Sequence, residues 1–252
     1  MFVDLHDQHL IKMASAENRT DGVEPPPFSV YSPSDATYAL GSPLPRLSTE
    51  HLEHTKAGSP PYRSFGRKLK EFLAMEVEQE GRLNEFLTVC TRNRFFSHVR
   101  LFIITSSQIF PYQCLYLKYM SLEDWREKVD ILRCNPDFHH APRYDCVVVN
   151  TDPITFARLE FIFSCEDNSK RRVDVALVRR FGDSTWKPRT KWEGCRVLEE
   201  KDHQFVLLKY LVQGCHIIPT FEKQSGRYYL NDLVDSDAFI RFFLDKYRSH
   251  CV

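Results

Sequence analysis

Phe156-Ala157-Arg158-Leu159-Glu160-Phe161-Ile162-Phe163-Ser164 decides the fold class. Ala157, Leu159, Phe161 and Phe163 alternate with Arg158 and Glu160, the pattern of a half-buried strand. Similar runs lie on either side: Asp145–Asn150 before it, then Val173–Phe181, Cys195–Glu199, Cys215–Phe221 and Tyr228–Leu230 after it. They are rich in β-branched and aromatic residues, and short turns of Asn, Asp, Pro, Gly or Ser separate most of them. Phe205–Val212 is apolar nearly throughout and fits either helix or strand. The spacing predicts a last helix from Ser236 or Asp237, with Phe239, Phe242 and Phe243 as its buried stripe.

Upstream of this β-rich half the signals are mixed. Phe65, Leu69 and Phe72/Leu73 recur at helical spacing, so a helix is expected over Ser64–Leu73, with a continuation toward Leu87 that Gly81 would interrupt. Val99–Ile104 and Gln113–Tyr119 read as strands. Ser121 and Asp124 are spaced as a capping box ahead of Leu122, Trp125, Val129 and Leu132, which predicts a helix ended by Asn135-Pro136. Many short strands and few helices imply an α+β domain, built on a curved antiparallel sheet or a small β-barrel with packed helices.

Composition divides the chain. Residues 1–61 hold 8 of the 14 prolines but only 4 of the 33 aromatics, and the stretch from Glu24-Pro25-Pro26-Pro27 to Pro60-Pro61 is Pro/Ser-rich without periodicity. Such a segment cannot bury enough apolar surface to offset its ordering entropy, so 1–61 is expected as a disordered leader and 62–250 as a single domain.

The 34 basic residues balance 34 acidic ones, which excludes a polycation that coats nucleic acid. No apolar run approaches the ~18 residues of a membrane helix, and Asp4, His6, Asp7 and His9 leave no signal-peptide core. Eight cysteines, at 90, 114, 134, 146, 165, 195, 215 and 251, are spread mostly through apolar runs; they read as free thiols of an intracellular protein, nuclear or cytoplasmic, with no membrane contact.

Several motifs occur together. Cys114-Leu115-Tyr116-Leu117, Leu122-Glu123-Asp124-Trp125, Leu132 through His139, and Pro142-Arg143-Tyr144-Asp145-Cys146-Val147 are followed by Ala157-Arg158-Leu159, Asp174-Val175-Ala176-Leu177-Val178 and Trp186-Lys187-Pro188-Arg189-Thr190. Gly214-Cys215-His216-Ile217-Ile218-Pro219 and Tyr228-Tyr229-Leu230-Asn231-Asp232-Leu233-Val234-Asp235 close the set. Over about residues 64–245 this resembles a family of uncharacterised proteins from mushroom-forming fungi. The last third is similar to the C-terminal region of proteins encoded by Plavaka-type DNA transposons, and its strand order is reminiscent of the bromo-adjacent homology domain, a β-rich chromatin reader. The resemblance implies a fold and a genomic lineage and carries no activity with it. Val178-Arg179-Arg180-Phe181 has Arg180 where the similar strand carries an aromatic.

Four groups of residues are candidates for chemistry. Between Asn168 and Lys191, Lys170, Arg171, Arg172, Arg179, Arg180, Lys187, Arg189 and Lys191 exceed Asp174 and Asp183 by six charges, with Trp186 and Trp192 interleaved. Guanidinium and indole groups suit phosphate contact with base stacking, or a protein partner with an aromatic anchor; a solvated face around core tryptophans is the alternative. Cys134, His139, His140 and Cys146 are a thiolate–imidazole set of the type that binds zinc, although Cys146 opens an apolar strand. Asp174 with Glu199-Glu200-Lys201 mimics the carboxylates and lysine of a metal-dependent nuclease, active or relic. Asp232, Asp235 and Asp237 suit a turn and a helix cap. Adjacent Cys215 and His216 point to opposite faces of a strand, and no P-loop, G-x-S-x-G, G-x-G-x-x-G or H-E-x-x-H occurs, so no cofactor is expected. The residues favour a non-catalytic interaction module with a protein or chromatin partner, or nucleic acid, on the Arg/Trp segment.

Overall fold

The strand quoted above is β8, Thr155–Glu166, and it lies inside the larger of two antiparallel sheets. The computed structural model describes residues 36–76, 108–151, 153–166, 172–186, 195–221 and 226–248, all within one compact unit. In chain order the elements are β1 (Ala36–Leu40), β2 (Leu47–Ser48), α1 (Thr49–Thr55), a 3-10 turn (Pro60–Tyr62) and helix α2 over residues 65–76. Then come β3 (Gln108–Tyr112), β4 (Cys114–Met120), β5 (Glu127–Phe138), β6 (Ala141–Tyr144), β7 (Cys146–Val149), β8, β9 (Arg172–Asp183) and β10 (Val197–Leu207). A 3-10 turn (Leu208–Tyr210), β11 (Leu211–Cys215), β12 (Ile217–Pro219), β13 (Arg227–Leu230) and α3 (Ser236–Arg248) complete the described chain.

The larger sheet runs β11-β7-β8-β9-β10-β13-β12, with β3 on β8 and β2 on β3; the smaller runs β1-β4-β5-β6. The fold is therefore α+β and antiparallel, as expected. Neither sheet is closed into a barrel: no described pairing joins the outer strands. The small sheet packs on one face of the large one through Leu115, Leu117, Leu132 and Cys134 against Val147, Ala157, Leu159, Ala176 and Val178. On the opposite face Phe65, Leu69 and Leu73 of α2, on the stripe expected of that helix, meet Phe163, Leu177 and Phe205. Further along, Phe242 of α3 meets Phe156 edge-on at 5.0 Å beside Phe181 and Leu198. Burying each of these side chains is worth about 2 kcal/mol, so three such clusters hold the layers together.

Five expectations change. Alternation through β8 is broken by a bulge: Leu159 faces Val178 while Phe161 faces Leu177, leaving Glu160 as the extra residue. Ala157 and Leu159 therefore enter one core and Phe163 the other. The helix expected over 121–132 is instead a hairpin, with β4 and β5 in register from Met120↔Glu127 to Cys114↔Arg133. Ser121 and Asp124 serve its turn. The Glu123 amide donates to Ser121 Oγ at 3.2 Å and the Arg126 amide to Asp124 Oδ1 at 3.2 Å, and Trp125 takes a left-handed φ of 56°. Leu132 and Cys134 then alternate inward against Val129 and Ile131, and Pro136 sits outward in β5, beside a bulge where a missing amide is tolerated.

Residues 36–61, expected within the leader, form β1, β2 and α1; β1 pairs with β4 from Ala36↔Tyr119 to Leu40↔Leu115, and the Ser48 side chain caps α1. Pro60 leads the 3-10 turn, where its fixed φ fits, and buries Tyr62 beside Phe65. Cys215–Phe221 is divided between β11 and β12. In α3 only Phe242 of the expected stripe is fully buried, while Phe239 and Phe243 stack on each other at 5.8 Å, half-buried. The Val99–Ile104 strand, the stretch toward Leu87 and residues 1–35 lie outside the described residues. Among the described residues no helix is long and apolar enough to cross a membrane.

Candidate functional site

β9 sets the three described cations of the basic segment, Arg172, Arg179 and Arg180, in different surroundings. Arg179 lies opposite Arg158 of β8, between the Phe156↔Phe181 and Phe161↔Leu177 pairs. Two like charges side by side are held by two carboxylates. Arg179 bonds Glu160 Oε1 at 3.2 Å through Nε and Glu200 Oε2 at 3.0 Å through Nη1, and Arg158 reaches Glu200 Oε1 at 2.8 Å. The Tyr228 hydroxyl donates to Glu200 Oε1 at 2.7 Å, and His203 Nε2 stands 2.9 Å from Glu160 Oε2. Burial pushes the Glu200 carboxyl up, but Tyr228 and both guanidinium groups outweigh it and hold it below its ordinary value. Burial, helped by Arg179, keeps His203 below its ordinary value despite Glu160. The two guanidinium groups balance the two carboxylates, and Arg179 spends Nε and Nη1 inside the network. Arg180 is directed to the other face, opposite Ala157, with its Nε buried and unbonded.

Trp186 stands at the far end of β9, with the Arg227 guanidinium 4.9 Å over its ring. Beside it, Ser184 donates to Glu199 Oε1 at 2.5 Å, which is the main reason the Glu199 carboxyl stays below its ordinary value. Lys201 and Arg227 both lie 3.6 Å from Glu199, and the Lys201 stem rests on Gly182, where a Cβ would meet Lys201 Cε at 2.7 Å. Asp174 belongs to the opposite end. It pairs with Ser164, whereas Glu199 pairs with Gly182, and the eight intervening steps of β9 span about 26 Å. The proposed nuclease residues Asp174, Glu199 and Lys201 are thus not brought together. Lys170, Arg171, Lys187, Arg189, Lys191 and Trp192 lie outside the described residues.

The zinc candidates separate in the same way. Cys134 is buried opposite Tyr144, while His139 and His140 form the exposed tip of the β5–β6 hairpin with φ of 52° and 66°. Cys146 lies across from Cys215, and burial raises its thiol to about 12, far from the thiolate a metal needs. Among the described residues no group of three His, Cys, Asp or Glu side chains converges on a metal position, and six described cysteines are free thiols. Asp235 caps α3 by accepting the Ala238 amide at 2.7 Å, as expected of it. Asp237 is buried and bonds Arg241 Nε at 2.8 Å.

What the sequence reading missed is a cavity of about 320 Å³ where the two sheets meet, lined by Tyr38, Leu40, Gly41, Pro43, Tyr112, Arg172 and Asp174 among others. Arg172 Nε donates to Ser164 Oγ at 2.9 Å and to Asp174 Oδ1 at 3.1 Å, Nη2 donates to the Tyr112 hydroxyl, and the guanidinium lies 5.3 Å from the Tyr112 ring centre. The Tyr38 hydroxyl donates to Asp174 Oδ2 at 3.1 Å; burial and then the Asp174 charge raise Tyr38 to about 12. Only the Arg172 and Asp174 pair, two apart on one strand, carried a signal in the sequence.

Fold and site together define an antiparallel α+β protein with internally compensated charges and an interlayer cavity. No family model matches the chain, and neither the curated proteins nor the solved structures contain a match to it.

Proposed function

We propose that the chain is a non-catalytic interaction module that docks a protein partner and shares a lineage with the fungal and transposon-encoded proteins whose motifs it carries. One observation carries this reading. The side of the small sheet turned away from the core exposes an apolar group. Tyr116 stands beside Ile131 and Lys118 beside Val129, and Val129 and Ile131 are 48% and 50% exposed. Met120 and Trp125, 65% exposed, extend the surface at the hairpin end. Around it the charges are paired: Lys118 with Glu127 at 3.8 Å and Arg143 with Asp145 at 3.0 Å, while Arg133 and Arg143 lie over Phe138. An apolar centre within a polar rim is the composition of a protein-docking surface rather than of a polyanion track.

The likeness in strand order to bromo-adjacent homology domains favours a chromatin-associated partner. Free thiols at the described cysteines favour a reducing compartment. Among the described residues the nuclease alternative has no assembled centre, since Asp174 and Glu199 lie at opposite ends of β9. Affinity capture with the intact chain and with a Val129→Glu/Ile131→Glu double variant tests the reading. Loss of the captured protein at unchanged melting temperature is expected, and undiminished capture would refute it.

A further inference from the structure

The interlayer cavity lies beside a strand edge that no described strand pairs with. The Gly41 amide donates to the Cys114 carbonyl at 2.9 Å, one step beyond the Leu40↔Leu115 pair. In an antiparallel ladder alternate residues turn their backbone groups toward the partner. Residues 37, 39 and 41 therefore face β4, and the amide and carbonyl groups of Tyr38 and Leu40 face the other way. Among the described strands β1 pairs with β4 alone, and residues 38–41 line the cavity.

Across the cavity Arg172 is fixed in place. Ser164 and Tyr112, both buried, hold its Nε and Nη2 from within. Asp174 accepts from Ser164, Arg172 and Tyr38, and its side chain is 17% exposed against 52% for Arg172. The carboxylate thus faces in, while the guanidinium edge bearing Nη1 faces out.

We propose that this cavity receives an extended peptide, which adds as a strand to the outer edge of β1 and places an acidic side chain on Arg172. The inference rests on the interaction-module reading and names a second contact, separate from the apolar face. Main-chain bonds to Tyr38 and Leu40 supply affinity, and the two-pronged guanidinium supplies the preference for carboxylate. A free anion satisfies only Arg172 and leaves the strand edge unused.

A fluorescein-labelled Val-Glu-Val-Glu-Val-Glu-Val peptide, its Gln counterpart and inorganic phosphate test this by fluorescence polarisation on the full chain. Saturable binding of the Glu peptide is expected, weakened about tenfold by Arg172→Lys, which keeps the charge but loses the fork. Leu40→Pro removes an outward amide while sparing the β4 ladder, and should weaken binding similarly, with folding checked by circular dichroism. Equal affinity for the Gln peptide, full affinity in Arg172→Lys, or no binding at 1 mM peptide (roughly the weak limit of specific recognition) overturns the proposal. Displacement by phosphate with no effect of Leu40→Pro marks an anion subsite and overturns strand addition. None of these failures touches the apolar-face reading, which capture by the Val129/Ile131 variant tests separately.

Discussion

Glu200 shows how single residues decide what the basic segment can do. It accepts from Arg158, Arg179 and Tyr228 at once, so Glu200→Gln leaves two guanidinium groups facing one another across the strands with only Glu160 between them. Partly exposed pairs are individually weak, but a shared acceptor is not, and a loss of about 1–3 kcal/mol is expected in urea unfolding. His203 sets a pH dependence. Folding holds the ring below its ordinary value of 6.5, through burial and Arg179 against the opposing Glu160 and Glu200, so the folded state binds fewer protons. Its contribution is present above that value and is lost as pH falls below it. The urea midpoint of the native chain should decline on acidification from pH 7, and His203→Gln should flatten that slope. An unchanged slope would show that His203 does not control it.

At the scale of elements, the β4–β5 hairpin and α3 are tied by a buried pair. Asp237 Oδ1 accepts the Leu122 amide, and Arg241 bonds both Asp237 and the Met120 carbonyl. Arg241→Met strands a buried carboxylate at the turn, for an expected loss of about 3–5 kcal/mol. That turn also holds Trp125 at positive φ, where a bulky residue is disfavoured. Trp125→Gly should therefore stabilise the chain by about 1 kcal/mol while reducing partner capture. A residue kept at such a cost and left exposed fits a docking anchor. The hairpin was illegible in the sequence because Leu122, Trp125, Val129 and Leu132 satisfy helical spacing; their strand pairing depends on β4, which periodicity does not contain. β1 was hidden for a related reason. Ala-Thr-Tyr-Ala-Leu sits in a Pro/Ser-rich setting and is a strand only because β4 offers an edge.

For the whole molecule, legibility followed contact order. β7, β8, β9, β13 and α3 are near-continuous apolar runs or capped amphipathic stretches, so local pattern placed them. The site depended on register between distant strands. Arg179 meets Glu160 and Glu200 only because β8, β9 and β10 are neighbours, and Tyr38 meets Asp174 across 136 residues. The same register separates Asp174 from Glu199 and sets Arg179 between two carboxylates. Among the described residues, the exposed apolar side chains of the small sheet and the Arg172 guanidinium beside the β1 edge both face outward. The central claim is that the outer face of the small sheet contacts a protein. A photoactivatable amino acid placed at position 131 tests it most directly, by mass spectrometry of adducts formed in native extract. A discrete protein adduct at 131 that disappears with Val129→Glu is predicted; nucleic-acid adducts, or protein adducts indifferent to Val129→Glu, would contradict it.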